Sequence, residues 1–225
     1  MDQQLQLVFG NRNYSSWSLR AWLALRHSGL PFEEIFIPLG RPESKAAIAR
    51  HSPSGLVPIL KVGSTDDWTN VWESLAIIET LNELAPGAGL WPAGLEARAV
   101  ARAVSSEMHA GFFSLRRDMP MDMRSDLTGP AHAGRHSEAA LADSRRILAL
   151  WADCRDRFGA AGPYLFGDWC AADMMFAPVV SRFRTYGVPL EGPAADYMQA
   201  VWAQSDMAHW TELARAEPFT IPEVR

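Results

Sequence analysis

Leu5, Leu7 and Phe9 fall on alternate positions, the period of a short strand over residues 5–9. From Trp17 to Leu30 the period changes. Leu19, Trp22, Leu23, Leu25 and Leu30 recur at helical spacing, Gly29 supplies a terminator and Pro31 blocks continuation. A second strand is predicted over Phe32–Ile37, then a short helix from Pro42 to Arg50, where Ala46, Ala47, Ile48 and Ala49 keep helix propensity high. Pro58–Val62 and Thr69–Trp72 flank the turn-rich Gly63-Ser64-Thr65-Asp66-Asp67 and read as a hairpin. Glu73 then opens a helix with an apolar face through Leu81. The order β-α-β-α-β-β-α predicts a small mixed sheet with helices on both sides.

Pro86-Gly87-Ala88-Gly89 and Pro92-Ala93-Gly94 mark a boundary. Beyond it the pattern is helical, with long segments near 95–117 and 134–158 and shorter ones near 171–185, 194–204 and 206–216. The fold class is therefore α/β plus all-α: a domain over residues 1–85, a linker at 86–94 and a helical domain over 95–225.

Composition narrows the function classes. The 225 residues are 48% hydrophobic and 21% charged, values of an ordered globular protein. No apolar run reaches the ~18–20 residues of a membrane span, so no membrane partner is expected. Met1-Asp2-Gln3-Gln4 shows no basic lead into an apolar segment, and a cytoplasmic protein is expected. Residues 1–85 carry 7 basic and 9 acidic side chains and residues 86–225 carry 14 and 17, giving −2 and −3. Neither half attracts nucleic acid broadly. Cys154 and Cys170 form no CxxC pair and the six histidines no HExxH, so no metal site is expected.

Three loops carry candidate chemistry. Ser15-Ser16 stands where strand gives way to helix, and unpartnered first-turn amides with a hydroxyl there can hold an anion such as a thiolate; a plain helix cap explains the same residues. Val57-Pro58 precedes a strand. A cis bond would aim the Val57 carbonyl and amide outward to pair with an extended peptide, although residue statistics favour trans. Glu73-Ser74 suits a helix start and also a ligand carboxylate met by Ser74 and the adjacent amides.

Together these segments resemble the cytosolic glutathione transferases along nearly the whole chain. Ser15-Ser16-Trp17-Ser18-Leu19-Arg20 is similar to the serine region of the zeta and related serine classes. Gly55-Leu56-Val57-Pro58-Ile59-Leu60 resembles the family's cis-proline loop, and Glu73-Ser74-Leu75-Ala76-Ile77-Ile78 its glutamyl-binding helix start. The resemblance implies a thioredoxin-like N-terminal domain with glutathione as cosubstrate. Val57 and Pro58 would bind its cysteinyl part, Glu73 and Ser74 its γ-glutamyl end, and Ser15 or Ser16 its sulfur. It implies a homodimeric detoxification enzyme that adds the thiol to a small hydrophobic electrophile. Trp17 stands where zeta relatives have cysteine, which weakens the alternative of a cis-trans isomerase of an unsaturated diacid. A noncatalytic interaction protein on the same fold is the other alternative.

For the electrophile, His109, Phe112, Phe113, Leu115 and Arg116 are candidates on the first helix of the second domain. Met119, Met121 and Met123 follow in a loop suited to an adaptable apolar surface or an interdomain contact. Gly167-Asp168-Trp169-Cys170-Ala171-Ala172-Asp173 resembles the family's capping segment. Cys170 replaces its usual hydroxyl and should weaken one half of a capping box that Asp173 completes.

Overall fold

The computed structural model describes residues 4–64, 67–129, 132 and 136–221. Strand β1 (Gln4–Phe9) pairs parallel to β2 (Glu33–Phe36) and antiparallel to β3 (Ile59–Ser64), which pairs antiparallel to β4 (Asp67–Trp72). The sheet order is β2-β1-β3-β4. Alternation sorts the side chains: Leu5, Leu7, Phe9, Leu60 and Val62 join one core with helices α1 (Ser16–Ser28) and α3 (Ser74–Leu84). Val8 and Ile59 face the other way and pack on Ile48 of α2 (Ser44–Ala49). Helices therefore cover both faces, as the β-α-β-α-β-β-α order requires. Gly29 ends α1 at φ +70°, a left-handed conformation that costs glycine nothing. The turn positions Thr65 and Asp66 lie outside the described residues.

The helical half contains α4 (Leu95–Ala110), α5 (Phe113–Asp118), α6 (Glu138–Phe158), α7 (Ala171–Tyr186), α8 (Gly192–Ala203) and α9 (Ser205–Ala216). The segment expected as one helix over 95–117 is two. Gly111 is extended and Phe112 left-handed at φ +61°. Arg116 then folds back and donates to the carbonyls of Gly111 (Nε–H, 3.1 Å) and Met108, satisfying the orphan acceptors at the end of α4. The expected start of α6 at 134 and 135 falls outside the described residues.

Helix α1 is the hinge of the architecture because it packs on α3 of its own domain and on α7 of the other. The loop before it is tied down by polar contacts of high sequence separation. Asn11 Nδ2 and the Arg12 amide donate to Glu217 (2.6 and 2.8 Å), and Asn13 Nδ2 donates to Asp122 (2.7 Å). Met119, Met121 and Met123 are buried, and the Met123 amide reaches the Asn13 carbonyl, so this segment is an interdomain contact rather than an open surface.

Asp173 is fully buried at the start of α7 and accepts from the amides of Cys170 (3.0 Å) and Leu165 (3.1 Å). The Cys170 thiol faces the first-turn amide, so both halves of the capping box are in place, the sulfur half through a weak acceptor. The Tyr197 hydroxyl lies near the carboxylate without making a hydrogen bond of ordinary geometry. Burial pushes the Asp173 carboxyl up to about 6, against the downward pull of the two amides. A folded-state pKa above the unfolded value means the native state holds this proton more tightly. The group's contribution to stability therefore falls as pH rises from about 4 to about 6, by about 3 kcal/mol in all. Asp173→Asn removes that titration. Denaturant unfolding of both proteins across this range is expected to show the wild-type advantage shrinking with rising pH; a constant difference would refute the assignment.

Candidate functional site

Ser15 is the N-cap of α1. Its oxygen accepts from the Ser18 amide (3.3 Å), its hydroxyl donates to Ser18 Oγ (2.7 Å), and Ser18 Oγ also accepts from the Gly10 amide (3.0 Å). Ser16, the first helical residue, is 5% exposed, and no hydrogen bond engages its hydroxyl within the described residues. The two adjacent serines are thus separated by structure: one hydroxyl closes the helix end, the other is free beside it.

The Val57-Pro58 bond is cis, where residue statistics favoured trans. Among the described residues nothing hydrogen-bonds the main-chain N–H or C=O of Val57. Glu73 is held at φ +70° and ψ 126°, a conformation L residues seldom adopt, and precedes α3 without a side-chain cap. The first-turn amides of α3 therefore point outward unpartnered. Ser74 is fully buried, and its hydroxyl reaches only the Met175 sulfur at 3.9 Å.

The Val57-Pro58 and Glu73-Ser74 segments meet at a cavity of about 360 Å³ lined by Trp17, Ser54, Leu56, Val57, Pro58, Glu73, Ser74, His109 and Ala110; α1 contributes Trp17 to it, and Ser15 and Ser16 are not among the lining residues. His109 Nε2 lies 3.4 Å from Glu73 Oε2, and its ring meets Trp17 edge-on at 5.1 Å. Burial lowers the His109 pKa, with Glu73 opposing and Arg20 and Arg116 reinforcing the shift. Of the candidates for the second site, the cavity gathers His109 but not the two phenylalanines. Phe112 is buried in the core and Phe113 is 73% exposed. Arg116 is not among the lining residues; its guanidinium lies 4.7 Å from the centre of the Trp17 ring.

Sequence reasoning named Trp17 without assigning it to the cavity wall, and passed over Arg182 and Met175. Arg182 carried a signal: it is the one basic residue between Ala171 and Phe183, a stretch in which Asp173 and Ser181 are the other polar side chains. Met175 carried none, since nothing in the sequence shows that its carbonyl accepts from Arg20 Nε (2.9 Å) while its sulfur meets Ser74.

The residues present fit a peptide thiol. An unpaired extended backbone at Val57 suits a peptide main chain, outward amides at α3 suit a carboxylate, and a free hydroxyl at the α1 N-terminus suits a thiolate.

Residues 14–84 match the family model of the glutathione S-transferase N-terminal domain. Maleylacetoacetate isomerase of Rattus norvegicus is 27% identical over 183 residues, covering 80% of this chain and 78% of that protein. A glutathione transferase homologue from Burkholderia GL BGR1, solved with bound glutathione, superposes with a TM-score of 0.71 at 25% identity, over 95% of this chain and 100% of that one. Maleylacetoacetate isomerase from Anaeromyxobacter dehalogenans 2CP-1, also solved with glutathione, gives a TM-score of 0.67 at 26% identity over 99% of each chain.

Proposed function

We propose that this chain, which belongs to the glutathione transferase family, activates the thiol of glutathione for addition to, or substitution on, a small hydrophobic electrophile. The observation that carries the reading is the cavity where the unpaired main chain of Val57 and the open amides of α3 meet beside Trp17 in the first turn of α1, a set of groups that suits a γ-glutamyl peptide.

Glutathione supplies the nucleophile, its thiolate. Ser16 donates a hydrogen bond toward that anion, and the amides at the start of α1 add their partial positive charge. Both stabilise the anion relative to the thiol and so lower its pKa, each unit amounting to about 1.4 kcal/mol. Val57 pairs through its main chain with the cysteinyl residue, and Pro58 holds that loop. Ser74 and the amides of α3 receive the γ-glutamyl carboxylate, while Glu73 accepts from the ammonium group. His109 and Trp17 wall the electrophile's side of the cavity.

Residues 1–85 serve in this reading as the glutathione-binding half and 95–225 as the half that meets the electrophile. A homodimer, a cytoplasmic location and a detoxification role belong to the same proposal and rest on family membership. Equilibrium binding of glutathione, with the thiolate followed by its ultraviolet absorbance, tests the core of it. Absence of binding at millimolar concentration would leave a noncatalytic protein on this fold. A zeta-like isomerisation is the second reading, supported by the two relatives named above. Product analysis separates them: a stable thioether marks transfer, while recovery of unchanged glutathione with a rearranged diacid marks isomerisation.

Ser74→Ala is expected to weaken glutathione binding about tenfold, since one hydrogen bond to a charged group is lost. Turnover at saturation should change little. The fold should hold, because the hydroxyl's partner is a thioether 3.9 Å away. An unchanged dissociation constant would remove Ser74 from the site.

A further inference from the structure

The carboxylate of Glu217 is buried just beyond α9, and among the described residues no cation pairs with it. Both of its oxygens go to one loop of the other domain. Oε1 accepts from Asn11 Nδ2 (2.6 Å) and Oε2 from the Arg12 amide (2.8 Å). A buried acid held by amide donors is costly to place, and its bonds are short and directional. It therefore fixes whatever carries those donors.

What they carry is the approach to α1. Asn11 is fully buried; its side-chain carbonyl accepts from the Leu39 amide (2.7 Å) and its main-chain carbonyl from the amides of Tyr14 and Ser15 (3.2 and 2.8 Å). The Tyr14 carbonyl in turn accepts from the Ser16 amide (3.1 Å). The path from Glu217 to Ser16 thus runs through two residues, Asn11 and Tyr14.

A second clamp lies alongside. Arg124 donates from Nη1 to the Glu217 carbonyl (2.7 Å) and from Nη2 to the Phe219 carbonyl (2.9 Å) and the Tyr14 hydroxyl (3.0 Å). Its amide donates to the Asn13 side chain (3.0 Å), and the Trp210 indole N–H donates to the Arg12 carbonyl (3.0 Å). Each residue from Asn11 to Tyr14 is gripped from the helical half, although the serines that follow belong to the sheet domain. Glu217 is not among the residues lining the cavity, so its influence on a bound thiol has to pass through this loop.

We propose that Glu217 is a positioning residue of the thiolate site: through Asn11 and Arg12 it fixes the loop before α1 where Ser16 donates to the sulfur of glutathione. The segment after α9 thereby sets chemistry in the opposite domain. The inference rests on the transferase reading, with Ser16 as the donor to sulfur.

Glu217→Gln keeps the side chain's shape but can accept from one of the two donors only, because its amide nitrogen faces the other. It is expected to raise the pKa of the bound glutathione thiol by about one unit, a tenfold loss of thiolate, read from ultraviolet absorbance across pH. Affinity for S-methylglutathione, which has no ionisable thiol and reports the Val57 and α3 contacts, should stay as in wild type. Combining Asn11→Asp with Glu217→Gln reverses the side-chain bond while the Arg12 and Leu39 amides keep their acceptors, and should bring the thiol pKa back toward wild type. In a Ser16→Ala background, Glu217→Gln should raise the pKa no further, since a positioning residue then has nothing to position. Arg124→Gln loosens the clamp without stranding a buried acid. It should shift the pKa in the same direction by less, and it carries the test if Glu217→Gln does not fold.

An unmoved thiol pKa in Glu217→Gln, or in Arg124→Gln where that variant carries the test, would overturn the proposal and leave the transferase reading standing. So would an equal rise in the Ser16→Ala background. Failure of the wild type to bind glutathione and S-methylglutathione alike would overturn the transferase reading itself.

Discussion

Ser16→Ala is expected to raise the pKa of the glutathione thiol and cut turnover about 100-fold, the scale for loss of one donor to a developing or resident anion in a sheltered site. Ser15→Ala is expected to act on the helix instead, costing about 1 kcal/mol of stability through loss of an N-cap. The assignment follows from hydrogen bonds already spent. Ser15 gives its proton to Ser18 Oγ while its oxygen accepts the Ser18 amide, so donating to sulfur would cost it the bond to Ser18 Oγ. Ser16 has no such engagement, and its side chain begins the same helix. Thiolate absorbance of the glutathione complex across pH, measured for both variants with a thermal melt of each, separates the roles. Loss of thiolate in Ser15→Ala alone would transfer the donor role to Ser15, and equal loss in both would exclude a single donor.

Trp151→Ala is expected to cost about 4 kcal/mol, within the range for deleting a large buried aromatic. That corresponds to a fall in melting temperature of roughly 8–16 °C for a chain of this size. Trp151, on α6, is 1% exposed and packs its ring at 5.9 Å from Phe176, 5.6 Å from Phe183 and 4.7 Å from Tyr197. These partners lie on α7 and α8, so the deleted volume sits where three helices meet and cannot close by moving one side chain. The loss should also reach the site, because α7 carries Met175, the residue joining Arg20 to Ser74. Calorimetric melts read the first effect and glutathione affinity the second. A melting temperature within a degree or two of wild type would show that this core relaxes far more freely than its packing implies.

Much of the architecture was legible in the chain. Alternation at Leu5, Leu7 and Phe9, helical spacing from Leu19 to Leu25 and the punctuation at Gly29 and Pro31 are local properties, and local steric and solvation rules act on them directly. The break within residues 95–117 was not legible. Gly111 is compatible with a helix interior at modest cost, and the stop depends on Arg116 returning to carbonyls five and eight residues upstream. Val57-Pro58 is a similar case: the dipeptide favours trans by residue statistics, and the folded chain holds it cis. The site was half legible. Ser15-Ser16, Val57-Pro58 and Glu73-Ser74 stood out by residue type and position, whereas Phe112 and Phe113 looked alike in sequence and ended with one in the core and the other in solvent.

The sequence by itself determined the order of strands and helices, the α4–α5 break apart, and which faces are apolar, and it marked three loops as candidates for hydroxyl, peptide and carboxylate chemistry. These follow from periodicity and side-chain type, quantities that need no neighbour distant in the chain. Tertiary structure alone decided that Ser15 caps while Ser16 stays free, that Trp17 and His109 share a cavity wall, and that Arg20 donates to the Met175 carbonyl. Each of these depends on which partner takes a hydrogen bond or shields a charge. Arg20 and the Met175 carbonyl that accepts from it lie 155 residues apart, and only the packing of α1 against α7 brings them together.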